Sequence, residues 1–143
     1  MADSINLDAL DRALGRLKSS YAFCCESDVV TSERLSDIGR SAAIQGFEFT
    51  FELATKVLRR HLDETNATPD VVAELSYPDL MRKGYARGIL SREYEHWHGF
   101  RRLRSMTNHT YTETSAAEVF RVVPDFIDEI EKMAAAIRAE RVA

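Results

Sequence analysis

Proline occurs 3 times and glycine 6 times in 143 residues. So few breakers leave room for few turns, and the elements between them are long. Cysteine occurs twice, as the neighbours Cys24 and Cys25. Neighbours on a helix do not readily pair, and two thiols make neither a disulfide framework nor a zinc site. Their expected place is in or beside a core. No alternating apolar and polar run marks a strand, and no internal repeat is visible. No segment approaches the roughly 20 apolar residues of a membrane span. The first residues, MADSINLDALDRALGRLK, lack a signal-peptide layout. The expected compartment is the cytoplasm, with no membrane partner.

What is present is the composition of an ordinary globular protein, 45% hydrophobic and 29% charged. That predicts one domain over residues 1–143. Leu7, Leu10, Leu14, Leu17 and Tyr21 step by three and four, which predicts a helix over about 6–25. ESDVVTSE breaks that pattern. A second helix follows over about 32–64, capped by Thr31 or Ser32. One of its stripes is Ile44, Phe47, Phe51, Ala54, Leu58 and Leu62. Another is Phe49, Leu53 and Val57, which calls for a further helix or a second subunit. Gly39 and Gly46 are small enough for close helix approach. SYPDLMRKGYARGIL reads as a short helix with Ser76 as cap, Pro78 in the first turn and Gly88 as stop. Ser91 is expected to cap a helix over about 92–107, with Tyr94, Trp97 and Phe100 leading toward Arg104. Ser115-Ala-Ala-Glu118 is a capping box for the last helix, in which Pro124 should bend or break the chain near Val123. The fold class is all-α, an up-and-down antiparallel bundle of four long helices plus a short one.

The net charge of −4 argues against a general nucleic-acid binder. Its distribution is uneven. Between residues 82 and 104 the chain holds seven Arg and Lys against Glu93 and Glu95, a net +5, while the flanking segments are acidic. A solvated helix face and a phosphate-facing patch both account for such a segment. A metal site finds little support. His96 and His98 are two apart and point about 200° apart on a helix. His61 and Glu64 share a face but lack Cys and Asp partners. No metal and no cofactor is expected.

The basic segment runs into RRLRSMTNHTYTE, residues 101–113. Arg104 and His109 are five apart, about 7.5 Å along a helix and rotated by about 140°. Asn108 lies one turn from Arg104. Tyr111 follows where the helix should be unravelling. Arg presents a fork of donors to phosphate oxygens, and His moves a proton near neutral pH. Together they suit RNA cleavage by an adjacent 2′-hydroxyl, with the cation stabilising charge at phosphorus. A symmetric dimer would supply both an acid and a base. A helix-end His with a satisfied hydrogen bond is the plainer reading of the same residues.

RSMTNHTY fits Arg-x4-His-x-Tyr, and AAIQGFEFTFELATKVLRRHL, GYARGIL and the Trp97-to-Arg104 spacing fit with it. Over roughly residues 40 to 135 the chain resembles the HEPN-domain proteins found beside minimal nucleotidyltransferases, also called nucleotidyltransferase substrate-binding proteins. The resemblance implies an all-α homodimer with the motif near the dimer groove. It also implies a nucleotidyltransferase antitoxin encoded alongside, and a metal-independent ribonuclease toxin that the partner neutralises. Carried onto this chain, Arg104 binds the phosphate, His109 transfers the proton and Tyr111 is the adenylylation target. Ser105 stands where Asn or Asp is usual, Asn108 where Ser is common, and Thr55 where Trp is frequent. The second reading, motivated by Ser105, is a non-catalytic subunit that presents a nucleotide or substrate to the nucleotidyltransferase.

Overall fold

The computed structural model describes residues 2–65, 72, 74–109 and 113–142, with side chains over 7–65, 72, 74–107 and 116–141. The described residues form α1 (Ala2–Cys25), α2 (Ser27–Val30), α3 (Glu33–Glu64), α4 (Tyr77–Ala86), α5 (Tyr94–His109) and α6 (Glu113–Val142). No strand occurs among them. None of the helices is long and apolar enough to cross a membrane.

The caps explain most of the boundaries. Leu35 N donates to Ser32 Oγ at 3.1 Å, so Ser32 starts α3. Asp79 N donates to Ser76 Oγ at 3.3 Å, and Pro78 occupies the first turn of α4. Gly88, at φ +77°, turns the chain out of α4 through the left-handed region that favours glycine. Three expectations differ, and of the two outcomes expected at Pro124 the break does not occur. ESDVVTSE is not a plain break but contains the single turn α2. Ser91 does not cap α5, which starts two residues later than expected; its hydroxyl donates instead to the Glu129 carboxylate. Ser115 lies inside the first turn of α6, because the helix already begins at Glu113. Pro124 does not break α6, which runs on to Val142. Packing of the residues around Pro124 outweighs the one backbone hydrogen bond it cannot donate.

Contacts fix the directions. Leu17 meets Gly46, and Phe23 and Cys24 meet Gly39, so α1 and α3 run antiparallel. Ion pairs Lys18–Glu131 and Asp11–Arg138 run α1 antiparallel to α6. Arg104–Glu52 and Thr107–Glu48 set α5 antiparallel to α3. Thus α1 and α5 point one way and α3 and α6 the other, the expected up-and-down bundle. At its centre Phe126 of α6 lies 4.8 Å from Phe47 of α3 and 5.1 Å from Phe100 of α5, ring centroid to centroid, both edge-on.

The first stripe of α3, from Ile44 to Leu62, is wholly buried. The second is split: Val57 is buried, Leu53 is half-buried and Phe49 is 60% exposed. Leu35 and Ile38 continue the exposed side of α3. His61 is buried, and its Nε2 lies 2.8 Å from Glu140 Oε1, which also accepts from Arg87 at 2.9 Å. That histidine is a tie between helix ends, as is Tyr77, whose hydroxyl donates to the Trp97 carbonyl at 2.9 Å.

Gly39 and Gly46 do allow close approach. A Cβ on Gly39 would sit 2.8 Å from Cys24 Sγ and 3.0 Å from the Phe23 ring, whereas one on Gly15 meets nothing within 4 Å. Urea denaturation should therefore show Gly39→Ala losing about 1–2 kcal/mol and Gly15→Ala gaining up to about 1 kcal/mol. Burial pushes the Tyr77 phenol far above its usual range, against an opposing pull from Arg101. Burial also raises Tyr21 and Cys24. A raised folded-state value means that the folded chain holds the proton longer. These contributions are complete below the unfolded values and lost as pH climbs through about 9–10 and beyond. Tyr77→Phe should cost about 1 kcal/mol at neutral pH and give a shallower alkaline decline in melting temperature.

Candidate functional site

α5 is amphipathic over its described side chains, residues 94–107. Trp97, Phe100 and Leu103 are buried against the bundle, while Arg101, Arg102 and Ser105 are exposed. Burial of the first set fixes the rotation of the helix. Rotation in turn places Arg101, Arg104 and Ser105 along a groove between α5, α3 and the start of α4, with a volume of about 370 Å³. Phe51 and Tyr77 line it, and so do Glu52, Thr55, Lys56 and Arg59.

Four cationic side chains border this groove against one carboxylate. The Arg101 guanidinium lies over the Tyr77 ring, Cζ 4.8 Å from the centroid, a cation–π contact. Arg59 donates from Nη1 to the carbonyls of Leu75 at 2.8 Å and Val72 at 3.1 Å, so it secures the segment ahead of α4. Lys56 is exposed. Arg104 is clasped by two carboxylates one turn apart on α3: Nη1 lies 3.0 Å from Glu48 Oε2 and Nη2 lies 2.6 Å from Glu52 Oε1. The Thr107 hydroxyl reaches the same Glu48 oxygen at 3.1 Å. Glu48 therefore anchors the last turns of α5, while the Glu52 side chain, 56% exposed, is the looser arm.

The sequence-derived site is partly in view. Arg104 and Ser105 both line the groove. Asn108 and His109 belong to the final turn of α5, so the helix reaches His109 intact, and their side chains lie outside the described residues. Tyr111 lies outside the described residues altogether. Continuity of α5 gives Arg104 and His109 the backbone offset of a regular helix, about 7.5 Å along the axis.

Sequence reasoning missed half of the groove. Arg101, read at first as one cation among several in the basic segment, is a wall of it, and so are Lys56, Arg59 and Tyr77 from other helices. Thr55 also lines the groove, its hydroxyl turned back to the Phe51 carbonyl at 2.9 Å. The small residue at that position bears on the candidate site itself. The basic segment, conversely, is partly neutralised: Arg82 pairs with Asp79, Arg87 with Glu140 and Arg104 with Glu48 and Glu52. Arg82 and Asp79 are three apart on α4, a spacing the sequence does show, but the partners of Arg87 and Arg104 come from other helices and no spacing signals them.

The fold and the chain both have relatives. A profile of the family described as nucleotidyltransferase substrate binding protein like matches residues 5–139. A Haemophilus influenzae protein named probable ribonuclease HepT is 28% identical over 131 residues, which is 90% of this chain and 89% of that protein. A solved Haemophilus influenzae structure, described as the fold of a substrate binding domain of a nucleotidyltransferase, superposes with a TM-score of 0.85 at 25% identity, covering 92% of this chain and 98% of that one. A structure from Thermus thermophilus superposes with a TM-score of 0.71 at 31% identity, covering 90% and 98%. The helical fold and the family match over residues 5–139 agree, and the chain belongs to the nucleotidyltransferase substrate binding protein-like family of HEPN helical proteins.

Proposed function

We propose that this protein is the HEPN subunit of a two-component nucleotidyltransferase system and that it cleaves RNA without a metal, as a toxin held in check by its nucleotidyltransferase partner. The observation that supports the proposal is that α5 runs unbroken to His109 and that Arg104, five residues earlier on the same helix, lines a cation-lined groove with aromatic walls. The relative named as a ribonuclease supports the reaction, and the relative described as a nucleotidyltransferase's substrate binding domain supports the partner. In this reading an RNA phosphate displaces Glu52 from Arg104, and His109 takes the 2′-hydroxyl proton. The 2′-oxygen bonds to phosphorus as the bond to the 5′-oxygen breaks, and the leaving oxygen takes a proton from an imidazolium. A homodimer supplies that second imidazole, and the exposed Phe49, Ile38 and Leu35 face of α3 is apolar surface a second copy can cover. A nucleotide attached to Tyr111 adds charge and bulk that repel RNA. The cytoplasm is its proposed location.

A second reading has one observation of its own. Arg104 is already clasped by two carboxylates, and Ser105 offers only a hydroxyl beside it. Such a groove suits a nucleotide-presenting subunit with no chemistry, the base stacking near Tyr77 and the phosphate meeting Arg101 and Arg104.

Purified wild type should cleave RNA with EDTA present, and His109→Ala should lose about 100-fold or more. Equal cleavage by both proteins, or by neither, refutes the ribonuclease reading; nucleotide binding without cleavage, lost in Arg104→Ala, establishes the second. Glu52→Gln removes the looser competitor for Arg104. Fluorescence anisotropy with a labelled RNA oligonucleotide should show affinity rising about 2- to 5-fold at low salt. Unchanged or weaker binding would mean that phosphate does not compete for Arg104.

A further inference from the structure

At the opposite end of α5 from His109, three ligand-bearing side chains converge that the ribonuclease reading does not use. Asp125 and Glu129 stand one turn apart on α6, and His96 faces them from the first turn of α5. His96 Nε2 lies 2.5 Å from Asp125 Oδ2. One nitrogen and two carboxylate oxygens, from His96, Asp125 and Glu129, all lie within 4.8 Å of one another.

Glu129 makes the cluster more than a surface coincidence. It is 2% exposed. Its described partner is the Ser91 hydroxyl, 2.5 Å from one carboxylate oxygen and 2.8 Å from the other. A hydroxyl has one proton and satisfies one oxygen at a time. Among the described residues no Lys or Arg is paired with Glu129. Lys132 is near enough to feel its charge but pairs with Asp128 at 2.9 Å. A carboxylate buried this completely is strongly disfavoured without a cation or a proton to offset it.

We propose that His96, Asp125 and Glu129, with the Ser91 hydroxyl beside them, bind one divalent transition-metal ion of the Zn²⁺ or Mn²⁺ type. An imidazole with two carboxylates is a donor set for such ions, borderline rather than purely hard. Metal–ligand distances of about 2.0–2.2 Å put ligand atoms about 3.4 Å apart in a tetrahedral site. His96 and Asp125 need only separate by about 1 Å from their present contact, a side-chain adjustment. The way in is open. The His96 and Asp125 side chains are 24% and 43% exposed. A shallow groove of about 710 Å³ leads to His96, with Glu93 and Glu95 drawing cations in and Arg92 opposing them. The ion clamps the start of α5 to α6. Arg104 lies eight residues on, about 12 Å along the same helix, so the role is positioning rather than reaction at phosphorus.

The full chain, stripped with EDTA and dialysed, is titrated with ZnCl₂ and with MnCl₂ by calorimetry, and its melting temperature is followed. One ion per chain and a raised melting temperature are expected. His96→Gln and Asp125→Asn should each weaken binding about 10-fold or more, while His98→Gln, on another face of α5, leaves it unchanged. Glu129→Gln should behave like the first two if circular dichroism shows it folded. If it does not fold, the partly exposed His96 and Asp125 positions decide. Absence of saturable binding in wild type, or equal binding in His96→Gln and Asp125→Asn, overturns the proposal. No RNA enters this experiment, so its outcome does not depend on whether the protein cleaves RNA.

Discussion

The edge-on packing of Phe126 against Phe47 and Phe100 is the contact on which the rest of the bundle depends. It joins α6, α3 and α5 at one point, in the edge-to-face geometry that aromatic pairs prefer. Once Phe100 is buried there, the register of α5 is set. Trp97 and Leu103 follow it inward, and Arg101, Arg104 and Ser105 are left along the groove. The position of the candidate chemistry is thus a consequence of where one phenylalanine is buried.

Electrostatics then divides the basic segment into structural and available charge. Arg87 is drawn to Glu140, beside buried His61, where it ties the ends of three helices. Arg104 is drawn to Glu48 and Glu52, which stabilise α5 yet occupy the donors a phosphate would need. Arg101 pairs with a ring rather than a carboxylate, so its charge stays available to a ligand. The same segment that reads as a uniform basic patch is, in three dimensions, a fixed scaffold with a small accessible edge.

Much of the fold was legible because helical signals are local. Ser32 and Ser76 act as caps, Gly88 ends α4, and the stripe from Ile44 to Leu62 is buried as its spacing required. Where local signals misled, a distant partner or a neighbouring turn prevailed. Ser91 turned to Glu129 rather than to the backbone of α5. Ser115 is inside a helix that starts at Glu113, and Pro124 sits in a helix that packing carries through it. Half the candidate groove was also out of reach. Lys56, Arg59 and Tyr77 have no sequence relation to Arg104 and meet it only because α3 and α4 pack beside α5. The His96, Asp125 and Glu129 cluster was passed over for the same reason, since spacing along one helix tests only ligands on that helix.

By itself the sequence determined the helices, their buried faces and the motif from Arg104 to Tyr111, because periodicity, caps and residue chemistry act over a turn or two. Tertiary structure alone decided which carboxylates face Arg104, which cations share its groove and which acids meet His96. Those choices depend on the relative rotation of helices distant in the chain, and burial of the aromatic centre sets that rotation.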